Sequence, residues 1–228
     1  LILRRRSENP IYRIMTVATT LSNCAFFGMP ILEAMFPEVA SDLLIYTVVW
    51  AVVMNIIGWS IGSAIIARDV KYISVKKMLV NPALIGAVVA MTLFISRVPL
   101  AAEMPTLFSL ITAAAKMSTP ISMMVMGMRL AEMKLADVFL DYRVYITLLI
   151  KQFAMPLVAF VIALILPIDV WLLRIFFVIS ACPAASVVLN YSEIVGAGQK
   201  EAASMVLLST ISSIISLPIM SLLIEVIV

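Results

Sequence analysis

The chain has 228 residues, of which 64% are hydrophobic and 13% charged, and its mean hydropathy is +1.15. That much apolar surface excludes a soluble domain and makes the chain an all-α polytopic membrane protein. The net charge of +3 lies in short connections between apolar spans, where it reports membrane orientation and not nucleic-acid binding.

The start, Leu1-Ile2-Leu3 running straight into Arg4-Arg5-Arg6 without an initiator Met, resembles the last turn of a membrane helix. The order of charge and apolar residues is the reverse of a signal peptide, so the expectation is an N-terminally truncated chain. A window of about 20 residues then gives seven apolar spans: Ile14 to Phe36, Leu43 to Ala67, Pro82 to Ile95, Leu107 to Met128, Val144 to Leu166, Val170 to Val195 and Ala202 to Val228. Arg4 to Arg6, Lys76, Lys77 and Lys134 fall on one side of these spans, and Glu38, Glu103 and Asp169 on the other. The positive-inside rule puts the first group in the cytoplasm and the C-terminus outside, in the cell (inner or cytoplasmic) membrane.

The first span carries Asn23, Gly28 and Pro30 where a membrane helix should be most regular. Proline removes a backbone donor and clashes with the preceding turn, and glycine is a poor interior residue, so a broken helix is expected there. Bare N–H and C=O groups at bilayer depth need protein or a watery cavity to satisfy them, so a break marks a candidate binding site. Thr20-Leu21-Ser22-Asn23-Cys24 is similar to Val178-Ile179-Ser180-Ala181-Cys182 in the sixth span, 158 residues on (180 − 22). The sixth span is itself disrupted by Pro183 and the small, polar run Ala184 to Asn190. Two similar broken helices running in opposite directions are the mark of an inverted repeat whose site forms where the breaks meet, here expected near Pro30 and Val188.

Asn23-Cys-Ala-Phe-Phe-Gly28-Met-Pro30 resembles the Asn-x-x-Phe-x-Gly-x-Pro signature of the auxin efflux carrier family, which includes bacterial malate and malonate permease-like proteins. Asn81-Pro82, Thr119-Pro120-Ile121-Ser122, Gly127-Met128-Arg129-Leu130-Ala131, Lys151 with Pro156, Ala181-Cys182-Pro183-Ala184-Ala185, Ser209-Thr210 and Leu217-Pro218 follow in the family's order. The resemblance implies a five-plus-five inverted-repeat transporter with its fourth and ninth helices broken and crossing. It makes 1–228 a single transmembrane transporter domain lacking its first three or so helices, with 1–67 the end of repeat one and 82–228 repeat two.

The implied function is a secondary carrier of small organic anions, such as dicarboxylates or auxin-like carboxylates. Access would alternate around the crossover, with the first two and last three spans moving against a scaffold that includes the third and fourth. The candidate substrate-binding residues are Asn23, Gly28, Pro30, Asn55, Pro183, Ser186, Val188 and Asn190. The unpaired N–H groups of a broken helix can hold a carboxylate without a buried Arg. For Asn55 an interhelical hydrogen bond is the competing reading. Lys116, mid-span, either attracts the anion or is paired structurally. Lys151 is expected to snorkel to the headgroups, Arg174 and Glu225 to be interfacial, and Ser209, Thr210, Ser212 and Ser213 to pack helices closely.

With no histidine and few acidic residues in the spans, neither an enzyme nor a metal site is expected, and no cofactor is implied. The expected partners are the organic anion, the lipid bilayer, a proton as candidate coupling ion and a second copy as candidate dimer partner, with no nucleic acid. The alternatives are a sodium-coupled, bile-acid-transporter-like symporter and a non-transporting membrane subunit.

Overall fold

The computed structural model describes residues 8–69, 71, 82–131 and 141–227. Arg4 to Arg6, Lys76, Lys77, Asn81 and Lys134, on which much of the expected orientation rests, lie outside the described residues.

The first span begins where Asn9 caps α1 (Pro10–Thr20), its side chain accepting from the Ile11 N–H at 3.1 Å with Pro10 pre-set for the first turn. Helix α1 ends at Leu21, which is extended. After Ser22 and Asn23 the chain resumes in a π-turn, Cys24–Gly28, that leads into α2 (Met29–Met35). The break therefore falls at Leu21–Asn23, a turn or more before the Gly28–Pro30 position expected from sequence. Pro30 lies in the opening turn of α2, where its missing N–H and fixed φ are tolerated. It marks the restart of the helix and not the interruption.

Helix α3 (Ala40–Ile57) continues through a π-turn, Gly58–Gly62, into α4 (Ser63–Ala67). Next come α5 (Pro82–Ile95), the short α6 (Leu100–Glu103) and α7 (Pro105–Ala131). The fifth span is α8 (Tyr142–Leu149), a π-turn Ile150–Ala154 and α9 (Met155–Ile165). The sixth is α10 (Val170–Ala181), capped by Asp169, then a break at Cys182–Ser186 and α11 (Val187–Val195), which ends on left-handed Gly196. The last is α12 (Gln199–Ile227).

Among the described residues, three helical stretches are long and apolar enough to cross a membrane, Ile45–Ala67, Tyr142–Ile165 and Gln199–Ile227, and Cys24–Met35, Leu84–Ile95 and Val170–Ala181 are shorter apolar helices. Two of the shorter ones, Cys24–Met35 and Val170–Ala181, are short because each is one half of a broken span. The other helices expose apolar side chains, as at Val49, Val88, Ile162, Ile214 and Ile215.

Packing concentrates on α10 and α12. One buried cluster joins Ile14 and Val17 of α1 to Val188 of α11 and Met205 of α12. A second joins Leu32, Leu43, Ile175 and Ile179, and a third joins Phe160, Phe177, Leu217 and Ile224. Among the described residues, none between 82 and 131 belongs to any of the three, so the described parts of α5 and α7 lie outside these buried clusters.

Candidate functional site

The two broken spans meet at their breaks. Ser22 and Ala184 form an isolated antiparallel bridge: the Asn23 N–H donates to the Pro183 carbonyl at 2.8 Å and the Ala185 N–H to the Leu21 carbonyl at 3.0 Å. Each break thus supplies what the other lacks, as a non-helical backbone away from water requires. The meeting point is Leu21–Asn23 against Pro183–Ala185, displaced from the Pro30 and Val188 positions expected from sequence.

Residues of other spans brace it. The Ala184 N–H donates to Ser209 Oγ of α12 at 3.0 Å, and Ser209 donates in turn to the Val206 carbonyl. Gln152 donates to the Ser209 carbonyl at 2.6 Å and accepts from Ser212 at 2.8 Å. The neighbouring Lys151 donates to Ser22 Oγ, and to the Ser180 carbonyl at 3.2 Å. Both side chains are 1% exposed. Lys151 does not snorkel: it ends at the crossing, with no carboxylate pairing with it among the described residues. Lys151 and Gln152 both belong to the π-turn Ile150–Ala154. In this turn, two adjacent residues are both directed into the protein.

Beside the bridge lies a cavity of about 70 Å³, lined by Leu21 to Phe26, by Ala51, Met54 and Asn55 of α3, and by Ala185, Ser186 and Val187. At about 10–15 Å³ per water, it has room for a few waters or a carboxylate group. Its polar wall consists of two helix starts. The first-turn N–H groups of Cys24, Ala25 and Phe26 on one side, and of Ser186 and Val187 on the other, have no backbone acceptor. Asn23, 6% exposed, lines the cavity with a side-chain amide that makes no hydrogen bond to the described residues. Asn55 donates to the Ala51 carbonyl at 2.9 Å within its own helix and makes no interhelical hydrogen bond among the described residues.

Of the sequence candidates, the structure brings Asn23, Asn55 and Ser186 together on this cavity. Pro183 is in the bridge itself through its carbonyl. Gly28 packs against Cys182, whose sulfur would stand 3.2 Å from a Cβ added there. Val188 is fully buried behind the cavity, Pro30 and Asn190 are exposed, and Lys116 is exposed on α7, away from the buried clusters. From sequence, Lys151 is expected to snorkel and Ser209 to pack helices, and neither Ser22 nor Gln152 is a site residue. The available signal was a charged and an amide residue side by side, Lys151-Gln152, inside an otherwise apolar span. Among the described residues no group of three or more His, Cys, Asp or Glu side chains could hold a metal.

Apolar helices, two of them broken where they meet beside a small cavity, place the chain among α-helical membrane proteins. The model of the family described as "Membrane transport protein" matches residues 66–221, and the chain belongs to that family, which is the family of the auxin efflux carriers. It is a family of transporters and not of enzymes. The comparison with curated proteins finds no match.

Proposed function

We propose that the protein is a secondary carrier of small organic anions, such as dicarboxylates or auxin-like carboxylates, working by alternating access. The observation that carries this reading is the cavity at the crossing. Five residues whose N–H groups have no backbone acceptor line one small volume together with Asn23, and the two helix starts they belong to carry the positive ends of their helix dipoles. The cavity holds a carboxylate group, so the rest of a substrate extends along the apolar wall formed by Phe26, Ala51 and Met54.

In this reading residues 1–67 end a first repeat and 82–228 form an inverted second one, seven spans in all, with the C-terminus outside the cell membrane. The spans that hold the crossing rock against a scaffold that includes α5 and α7. Support for that division is that no described residue between 82 and 131 belongs to the three buried clusters, and the coupling ion in this reading is a proton. The test is uptake by proteoliposomes of labelled malonate, malate, succinate and indole-3-acetate, with and without a pH gradient. Saturable uptake of at least one of them, reduced by Asn23→Ala, is expected. Leak-level flux of all four would overturn the reading.

A further inference from the structure

We infer that Ser22 and Lys151 form a two-membered donor relay to the bound anion, in which the buried ammonium acts through the Ser22 hydroxyl. The inference rests on the anion-carrier reading and adds its charge-bearing group.

A hydroxyl has one hydrogen to give and two lone pairs to receive. Ser22 Oγ receives from Lys151 Nζ. Its own hydrogen goes to no acceptor among the described residues, although Ser22 is 6% exposed and Ser and Thr elsewhere in these helices donate to a carbonyl three or four residues back, as Thr19, Ser180, Ser192 and Ser204 do. Ser22 cannot do so, because it lies in the extended break and not on a helical turn. It lines the cavity beside Asn23, so the unspent hydrogen is available to whatever the cavity holds. A hydroxyl that accepts from a cation is polarised, and hydrogen bonds along a chain strengthen one another in a low dielectric. The result is a charge-assisted donor facing the anion while the ammonium stays out of the cavity.

This arrangement also accounts for Lys151 itself. A buried cation without a carboxylate partner is costly, and the two oxygens it reaches, Ser22 Oγ and the Ser180 carbonyl, are neutral. An anion in the cavity would supply the missing countercharge one side chain away. Ser22 is then a binding residue and Lys151 a positioning residue that acts through it. The relay predicts a preference for carboxylates over their neutral amides beyond what the helix starts provide.

The test is isothermal titration of the purified full chain with malonate and phenylacetate, using phenylacetamide as the neutral control. Wild type should bind at least one carboxylate and prefer it to the amide. Ser22→Ala should weaken that binding about tenfold or more and Ser22→Thr should largely retain it, the range expected when a donor to a charged group is lost. Lys151→Met should weaken it similarly and reduce the preference over phenylacetamide. Lys151→Arg should recover part of both, and Ser22→Ala combined with Lys151→Met should be little weaker than either alone. Folded Ser22→Ala protein with wild-type affinity would overturn the relay and leave the carrier reading standing. Wild type that binds neither carboxylate would overturn both.

Discussion

Asn23 and Pro183 are joined backbone to backbone, the N–H of one donating to the carbonyl of the other at 2.8 Å. The proline that stops α10 thereby supplies the acceptor for the residue that precedes the restart of the first span. The two breaks are satisfied by one another, and any change at one is felt at the other.

Asn23→Ala removes a side chain with no hydrogen bond to the described residues but with a place on the cavity wall. Its thermal stability in detergent should stay close to wild type. Carboxylate affinity should fall by about 1.5 to 3 kcal/mol, roughly ten- to hundredfold, the loss of one hydrogen bond to a charged group. Titration calorimetry on matched, folded preparations measures this, and unchanged affinity would remove Asn23 from the site.

Ser209→Ala strips the acceptor from the Ala184 N–H. Polar bonds between membrane helices are worth about 0.6 kcal/mol on average and up to about 1.7, and this one caps a buried amide in a break. A loss near the upper end of that range is expected in unfolding titrations. Ser212→Ala, which costs Gln152 one of its two partners at a half-buried position, should lose less. Equal losses would show that the crossing does not depend on Ser209.

A Cβ at Gly58 would collide with the Tyr191 hydroxyl and lie 3.3 Å from Tyr191 Cε2. That hydroxyl is buried without a partner among the described residues. Gly58→Ala should therefore destabilise by about 1 to 3 kcal/mol, the usual cost of overpacking. Tyr191→Phe should be neutral or stabilising, since nothing is lost but an unpaired oxygen. Combined, Tyr191→Phe should relieve part of the Gly58→Ala cost. Melting temperatures of the four proteins decide it, and strict additivity would count against the contact.

Asp141 caps α8 through the Arg143 N–H at 2.9 Å and also accepts from Arg143 Nε at 2.8 Å. The hydrogen bond from the Arg143 side chain, ahead of the backbone bond and the guanidinium charge, holds its carboxyl below the ordinary 3.8. A group with a depressed folded pKa contributes stability that is present above its unfolded value and lost as pH falls through the folded one. Asp141→Asn keeps a capping oxygen but not the charge. Its melting temperature should trail wild type at pH 6, and the gap should narrow as pH is lowered towards 3. A gap that is constant with pH would contradict the ion pair.

The broken spans were legible because proline, glycine and asparagine are conspicuous among apolar residues. The position of the first break was not. Leu21-Ser22-Asn23 carries no proline or glycine, while Pro30, the strongest sign, belongs in a first helical turn. Asn23, Asn55 and Ser186 were found as polar residues at bilayer depth. Lys151 was misjudged because distance from a helix end suggested snorkelling, and distance along a regular helix does not register a π-turn that directs adjacent residues inward. Ser209, read as a packing residue, braces the crossing, a role that depends on the approach of α12 to a break 25 residues earlier in the chain.

At Ser22–Ala184 the two segments are extended, and extended backbone alternates its side chains from one face to the other with a period of two. Inside a helix, a one-residue deletion rotates everything after it by a fraction of a turn. Here it would swap faces outright, bringing Leu21 to the place where Ser22 meets the Lys151 ammonium. The length of these three residues is therefore under a tighter constraint than their identity. Related carriers should tolerate substitutions at the crossing far more readily than insertions or deletions there.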